Sequence, residues 1–117
     1  MPAPQPTEIR YDRADRSLTV RFDDGAAFSF SAEFLRTQSP SAEVRGHHAG
    51  ERVLVAGKKT VGIKAIEPVG NYAIQIVFDD GHDTGLYSWA LLHEYGRTRE
   101  TLWAAYLGEL EQAGMSR

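Results

Sequence analysis

The sequence predicts an α+β domain, mainly an antiparallel sheet with pseudo-repeated strand-turn-strand-helix halves and C-terminal helices. Three observations lead there. Short runs alternate apolar with polar residues, an Asp-Asp-Gly turn follows two of these runs, and each turn leads through a further short run to a serine set before a helical pattern.

In chain order, Ile9 and Tyr11 alternate with Arg10 and Asp12, and Leu18, Val20 and Phe22 alternate with Thr19 and Arg21, the period of half-buried strands. Arg13 to Arg16 form the expected turn between them. Phe22-Asp23-Asp24-Gly25 then supplies residues that tolerate a tight reversal, Phe28 and Phe30 alternate, and Ser31 precedes Ala32-Glu33-Phe34-Leu35 as a helix cap. Thr37 to Lys59, rich in serine, glycine, histidine and charge, is expected as an ordered but irregular loop with one apolar run at Val53-Leu54-Val55. Val61, Ile63 and Ala65 begin the next strand, which Pro68 and Gly70 end. Ile74, Ile76 and Phe78 share one strand face before Asp79-Asp80-Gly81, and Ser88 precedes Trp89, Leu91 and Leu92. Gly96 is expected to close that helix and Thr98 to cap another, whose stripe is Leu102, Trp103, Tyr106, Leu107 and Leu110, stopped by Gly114.

The two Asp-Asp-Gly stretches are copies of one pattern. Leu18, Val20, Phe22, Asp23, Asp24 and Gly25 match Ile74, Ile76, Phe78, Asp79, Asp80 and Gly81 at a constant offset of 56. After one inserted residue, Phe30, Ser31, Phe34 and Leu35 match Tyr87, Ser88, Leu91 and Leu92. Two copies are too few for a solenoid, so one domain with paired halves is expected. The copies diverge after the turn, with Ala26 and Ala27 in the first and His82 and Asp83 in the second. Polar chemistry therefore concentrates in the second copy.

A length of 117 residues fits one domain with a modest core. The proline-rich residues 1–6 are expected as a flexible leader, 7–114 as the domain and 115–117 as a tail. A formal charge of −3 supplies no broad cationic surface, which disfavours nucleic-acid binding. No run approaches a membrane span and none has the length of a signal peptide, so a cytoplasmic protein is expected. The absence of cysteine excludes disulfides, thiolate metal sites and cysteine nucleophiles.

His82 with Asp80 and Asp83 offers imidazole and carboxylate together, the groups of a metal site or an acid-base pair, against the plainer reading of a solvated hairpin. His47 and His48 are adjacent, so only a loop could bring both to one ion, with His82 as a further ligand. His93, on a helix without a partner at helical spacing, reads as a surface or boundary residue rather than a ligand. No nucleophile elbow or phosphate-binding glycine loop is present, and Gly57-Lys58-Lys59-Thr60 lacks the earlier glycine of a P-loop. Trp89 and Trp103 read as core anchors rather than a ligand cage.

The runs Val61-Gly62-Ile63, Ile66-Glu67-Pro68-Val69-Gly70-Asn71-Tyr72-Ala73 and Phe78-Asp79-Asp80-Gly81-His82-Asp83-Thr84-Gly85-Leu86-Tyr87-Ser88-Trp89 resemble the small bacterial proteins named for the gamma-butyrobetaine hydroxylase N-terminal domain. Leu35-Arg36 followed by Ser39-Pro40-Ser41-Ala42-Glu43-Val44 strengthens the resemblance, which runs from about Thr7 to Gly114. In the hydroxylases it implies zinc held by three cysteines and one histidine. Laid on this chain those positions fall on Ser39, Ser41, Val44 and His82. Hydroxyls and valine do not replace thiolates, so the resemblance implies a lost zinc site. It also implies no hydroxylase activity, which belongs to a barrel that these 117 residues do not contain. Relatives joined to nucleotide-binding ATPases carrying iron-sulfur clusters suggest an accessory role.

Two functions remain open. The first is a non-catalytic accessory or protein-binding module linked to iron-sulfur or metal metabolism, with a protein partner such as an iron-sulfur carrier ATPase and no required cofactor. The second is a metal-binding protein that holds iron or zinc weakly through His82 with His47 or His48 and a carboxylate such as Asp83.

Overall fold

Each Asp-Asp-Gly turn closes the same hydrogen-bonded loop. The Phe22 amide donates to Ala26 O at 2.8 Å and the Gly25 amide to Phe22 O at 3.2 Å, and in the second copy Phe78 donates to His82 O at 2.9 Å and Gly81 to Phe78 O at 3.1 Å. Gly25 and Gly81 take φ of 88° and 94°, a region that side chains with a Cβ rarely adopt, which is why both copies end in glycine. The protein is known here as a computed structural model that describes residues 4–40 and 54–117. The apolar residue Val53, Ser41, Val44, His47 and His48 lie outside the described residues.

The described chain runs β1 (Pro6–Asp12), β2 (Ser17–Phe22), β3 (Ala27–Ser31), α1 (Ala32–Thr37), β4 (Ile63–Val69), β5 (Ala73–Phe78), β6 (Leu86–Ser88) and α2 (Trp89–Gln112). The six strands form two antiparallel three-stranded sheets, β1-β2-β3 and β4-β5-β6, so the α+β class holds and the antiparallel part is divided. The repeat also reaches further upstream than the two turn motifs. Pro6 pairs with Phe22 and Ile63 with Phe78, each pair is followed by a register shift, and Asp23 and Asp79 donate to Gln5 O and Gly62 O respectively. Each half is therefore three strands and a helix.

Alternation sets the core. Leu18, Val20, Phe22, Phe30, Ile74, Ile76, Phe78 and Tyr87 are buried, joined by Leu35 and Leu92 from the first turns of the helices. Burying each such side chain contributes about 1.5–3 kcal/mol. Both helices meet β3, and α2 also meets β6. The serine caps work as their position suggests: Ser31 Oγ accepts from Phe34 N at 3.0 Å and Ser88 Oγ from Leu91 N at 3.1 Å. After Gln38, Pro40 disfavours further helix, so α1 stops within two turns.

Three expectations about the C-terminal part change. Gly96 does not close a helix and Thr98 does not open one, because α2 is continuous over Trp89–Gln112 and Thr98 Oγ1 donates to Glu94 O within it at 2.8 Å. The glycine is there for space, since a Cβ at position 96 would clash with atoms of the Phe28 ring. Leu107 leaves the apolar stripe and is 38% exposed, whereas Tyr106 and Leu110 are buried. Trp89 and Trp103 pack partly buried against the core cluster. The last residues also fold back, with Ser116 O accepting from Gly57 N and Arg117 pairing with the buried Glu33 at 2.8 Å.

Reciprocal contacts of the two turn aspartates join the halves. In each turn the second aspartate uses Oδ1 on the amide two residues ahead, Asp24 on Ala26 at 2.9 Å and Asp80 on His82 at 3.1 Å. Its Oδ2 crosses to the fifth residue of the other half's helix: Asp24 to His93 Nε2 at 2.9 Å, Asp80 to Arg36 Nε at 2.8 Å. Lys58 adds a third contact to Asp80 at 2.6 Å. Burial pushes the Asp80 carboxyl up, but the Lys58 ammonium, the His82 amide and Arg36 outweigh it and hold its pKa at about 2. The Asp24 carboxyl is also lowered, first by the Ala26 amide and then by His93.

Two outcomes are expected. Gly96→Ala, which stabilises an ordinary helix by about 1 kcal/mol, should instead destabilise this one by roughly 1–3 kcal/mol in urea unfolding, and adding Phe28→Ala should remove most of that coupling. Because the folded Asp80 pKa lies below its ordinary 3.8, its contribution is present above about pH 4 and is lost as pH falls toward 2. Asp80→Asn should therefore flatten the acid limb of the stability profile by up to about 2 kcal/mol, and an unchanged limb would show that the carboxylate carries no such linkage.

Candidate functional site

Where the second copy departs from the first, three segments meet: the end of α1, the β5–β6 turn and Lys58. His82 occupies the place of Ala26, Gly85 that of Phe28 and Tyr87 that of Phe30. With no aromatic ring at position 85, the space is taken by Ser39, whose Oγ would lie 2.5 Å from a Cβ on Gly85. The Ser39 hydroxyl is hydrogen-bonded to His82 Nε2 at 2.9 Å, and the imidazole also lies 6.0 Å from the Phe78 ring. Tyr87, fully buried, donates to Leu35 O at 2.5 Å, and burial pushes its phenol up so that it keeps that proton. Tyr95 likewise donates to Gln38 O at 2.5 Å.

Of the residues singled out in the sequence, His82 and Ser39 are brought together. Asp80 touches His82 only through the main-chain amide, its other oxygen being held by Arg36 and Lys58. Asp83 is exposed and engages through its carbonyl, which accepts from Gln75 Nε2 at 2.6 Å. His93 sits at the boundary with its ring edge-on to Phe22 and Phe28, at 4.9 and 5.5 Å. Its partner Asp24 comes from the other half, out of reach of any search at helical spacing.

Arg36 and Lys58 were missed as members of this site. Arg36 could have been found, because the offset that aligns Ser31 with Ser88 also aligns Arg36 with His93, so both helices place a basic residue there. Lys58 carried no such signal.

The donor set tests the zinc that the resemblance associates with this position. A hydroxyl stands where a thiolate would, it engages Nε2 of the imidazole, and Asp80 is committed to two cations. Arg36 Nη1 is also buried without an acceptor among the described residues, so the surroundings ask for negative charge rather than for a divalent cation. No group of three or more His, Cys, Asp or Glu among the described residues could hold a metal. The residues described do not fit a structural zinc. The hydroxyl-imidazole spacing is that of a nucleophile and its base, but Ser39 is only 5% exposed and lies against Gly85 and Tyr87.

No curated protein matches the chain. Two proteins with NMR solution structures are similar, one at 46% identity and TM-score 0.86 over 99% of this chain and 91% of its own, the other at 51% and 0.84 over 98% and 86%. A protein of unknown function of the DUF971 family from Acidithiobacillus ferrooxidans ATCC 23270, seen in a crystal structure, is similar at 36% identity and TM-score 0.65 over 77% of this chain and 90% of its own. Residues 9–93 match the family described as gamma-butyrobetaine hydroxylase-like, N-terminal, and they include both hairpins and the Ser39–His82 contact. On that match and those identities, the chain belongs to the gamma-butyrobetaine hydroxylase-like N-terminal family.

Proposed function

We propose that the chain is a non-catalytic protein-binding module that serves iron-sulfur or metal metabolism through a protein partner. The observation that carries this reading is the commitment of the polar groups around His82. Its imidazole, the Ser39 hydroxyl, the Asp80 carboxylate and the Tyr87 phenol all bridge the α1 end to the β5–β6 hairpin, with Arg36 and Lys58 both on Asp80. Such a cluster holds two segments in register, which leaves binding to the molecular surface. The partner class, an iron-sulfur carrier ATPase, rests on the resemblance to modules joined to such enzymes. No helix among the described residues is long and apolar enough to cross a membrane.

The test combines metal and partner. Protein purified without chelator should carry substoichiometric iron and zinc by elemental analysis, and chelator should leave its Tm unchanged. His82→Ala should lower stability by about 1 kcal/mol, the usual contribution of one hydrogen bond, since it removes the contact with the Ser39 hydroxyl. Calorimetric titration against a purified iron-sulfur carrier ATPase should show saturable binding that does not require added metal. Stoichiometric iron or zinc lost on His82→Ala would instead establish the metal-binding reading with His47 or His48.

A further inference from the structure

Away from His82, the β1–β2 hairpin meets the start of β4 in a cleft of about 280 Å³ whose walls include Tyr11, Arg13, Arg16, Lys64 and Asp79. Tyr11 ties the two halves together here, its phenol oxygen accepting from Ile63 N at 3.0 Å. That bond engages an oxygen lone pair, leaving the phenol proton for an acceptor. Among the described residues Arg13, Arg16 and Lys64 make no ion pair, nor do Arg10, Lys59 and Arg99, whereas Arg21, Arg36, Lys58, Arg97 and Arg117 do; of the six without one, Arg13, Arg16 and Lys64 line this one cleft.

Asp12 and Asp15 line a second surface of the hairpin together with Glu8, Arg10 and Arg21, and both aspartates are occupied in the turn, Asp12 by the Ala14 amide at 2.8 Å and Asp15 by the Ser17 hydroxyl at 2.5 Å. Arg13 and Arg16 are left on the cleft side. Arg16 holds φ of 55°, uncommon for a residue with a side chain, and its carbonyl is fixed by the Ala32 amide at 2.8 Å. A chain of net charge −3 thus gathers three unpaired cations around one cleft against a single carboxylate, Asp79, which lies by Gly62 on the cleft wall. Like charges held together without counter-charges repel, and a bound anion relieves that repulsion.

We propose that this cleft docks an acidic peptide segment of the partner protein, its carboxylates meeting Arg13, Arg16 and Lys64 and the Tyr11 hydroxyl. This deepens the protein-binding reading above and rests on it. The cleft is slightly smaller than the ~300–1,000 Å³ of typical small-molecule sites, so it takes one or two side chains rather than a cofactor. Arginine supplies the planar fork that carboxylates accept in pairs. Both β1 and β4 are edge strands of their sheets, so a segment reaching the cleft can lie extended alongside them.

The probe is an acetylated hexaglutamate peptide titrated into the isotope-labelled full chain and followed by amide chemical shifts. The expected result is saturable shifts centred on Tyr11, Gly62, Ile63 and Lys64, weakened several-fold when salt rises from about 0.05 to 0.5 M. Arg13→Glu, Arg16→Asn and Lys64→Glu together should weaken binding at least tenfold. These side chains are at the surface and asparagine suits the positive φ, so the variant should keep its Tm. Shifts elsewhere, or equal binding by the triple variant, would overturn the proposal. Saturation by inorganic phosphate alone at lower concentration would overturn it in favour of a small-anion site, and tighter binding of a thymidine oligonucleotide in favour of nucleic acid. If the ATPase binds wild type and triple variant equally, the docking surface is wrong and the module reading stands. If the ATPase binds neither while the peptide binds as expected, the module reading fails and the acidic-segment specificity stands.

Discussion

The arrangement of the whole molecule depends on one carboxylate used twice in each half. One oxygen of Asp24 or Asp80 holds its own turn, and the other reaches the helix of the opposite half. A turn that opened would lose the inter-half contact as well, and a helix that moved would pull on the turn. Since each half gives and receives the same contact, the halves meet as the protomers of a two-fold dimer do, through a self-complementary surface. The pairs themselves contribute modestly, because His93 and Asp24 are partly exposed and such pairs are screened. Most of the stability comes from the apolar residues they align, Leu35 and Leu92 entering the common core one residue before Arg36 and His93.

Symmetry breaks at the paired positions of one contact, and the breaks compensate. Phe28 of the first half lies on Gly96 of the second, while the equivalents of these two residues, Gly85 and Ser39, also meet. In one contact the ring is large and the helix residue has no side chain. In the other the strand residue has none and a hydroxyl fills the gap. Ser39 then needs a polar partner, and the same copy supplies His82 where the other has alanine. Thus the Ser39–His82 contact appears where a packing exchange put a hydroxyl in place of an aromatic ring.

Legibility in the sequence followed the range of the interaction. The hairpins were readable because Asp-Asp-Gly writes the turn and its positive backbone angle within a few residues, and the helix starts because a serine cap acts over three. The continuity of α2 was not readable, since Gly96 resembles a helix stop until Phe28, far upstream, is seen to occupy its place. Division of the strands into two sheets was equally hidden, because alternation marks a face and not a neighbour. At the site, His82 stood out as the polar substitution in an otherwise apolar copy, and Ser39 entered through the family alignment. Their mutual contact, and the Arg36 and Lys58 charges beside them, join segments that are distant in the chain, and no local pattern encodes them.

A structural zinc and the contacts around His82 can be weighed as alternative ways to fasten the same two segments. A zinc site supplies about 10–16 kcal/mol at one point and makes folding conditional on metal. Hydrogen bonds of about 1 kcal/mol each, such as Ser39 to His82 and Tyr87 to Leu35, cannot reach that sum together with a few ion pairs. What they can do is fix register once other forces hold the segments close. Those forces are visible in the burial of Leu35, Phe78 and Tyr87 directly beneath the polar contacts. A chain without thiolates therefore has to divide the task, adhesion falling to the apolar layer and alignment to the polar one. That division also frees the outer surface near the hairpins, where unpaired cations can meet a partner without disturbing the contacts that hold the halves together.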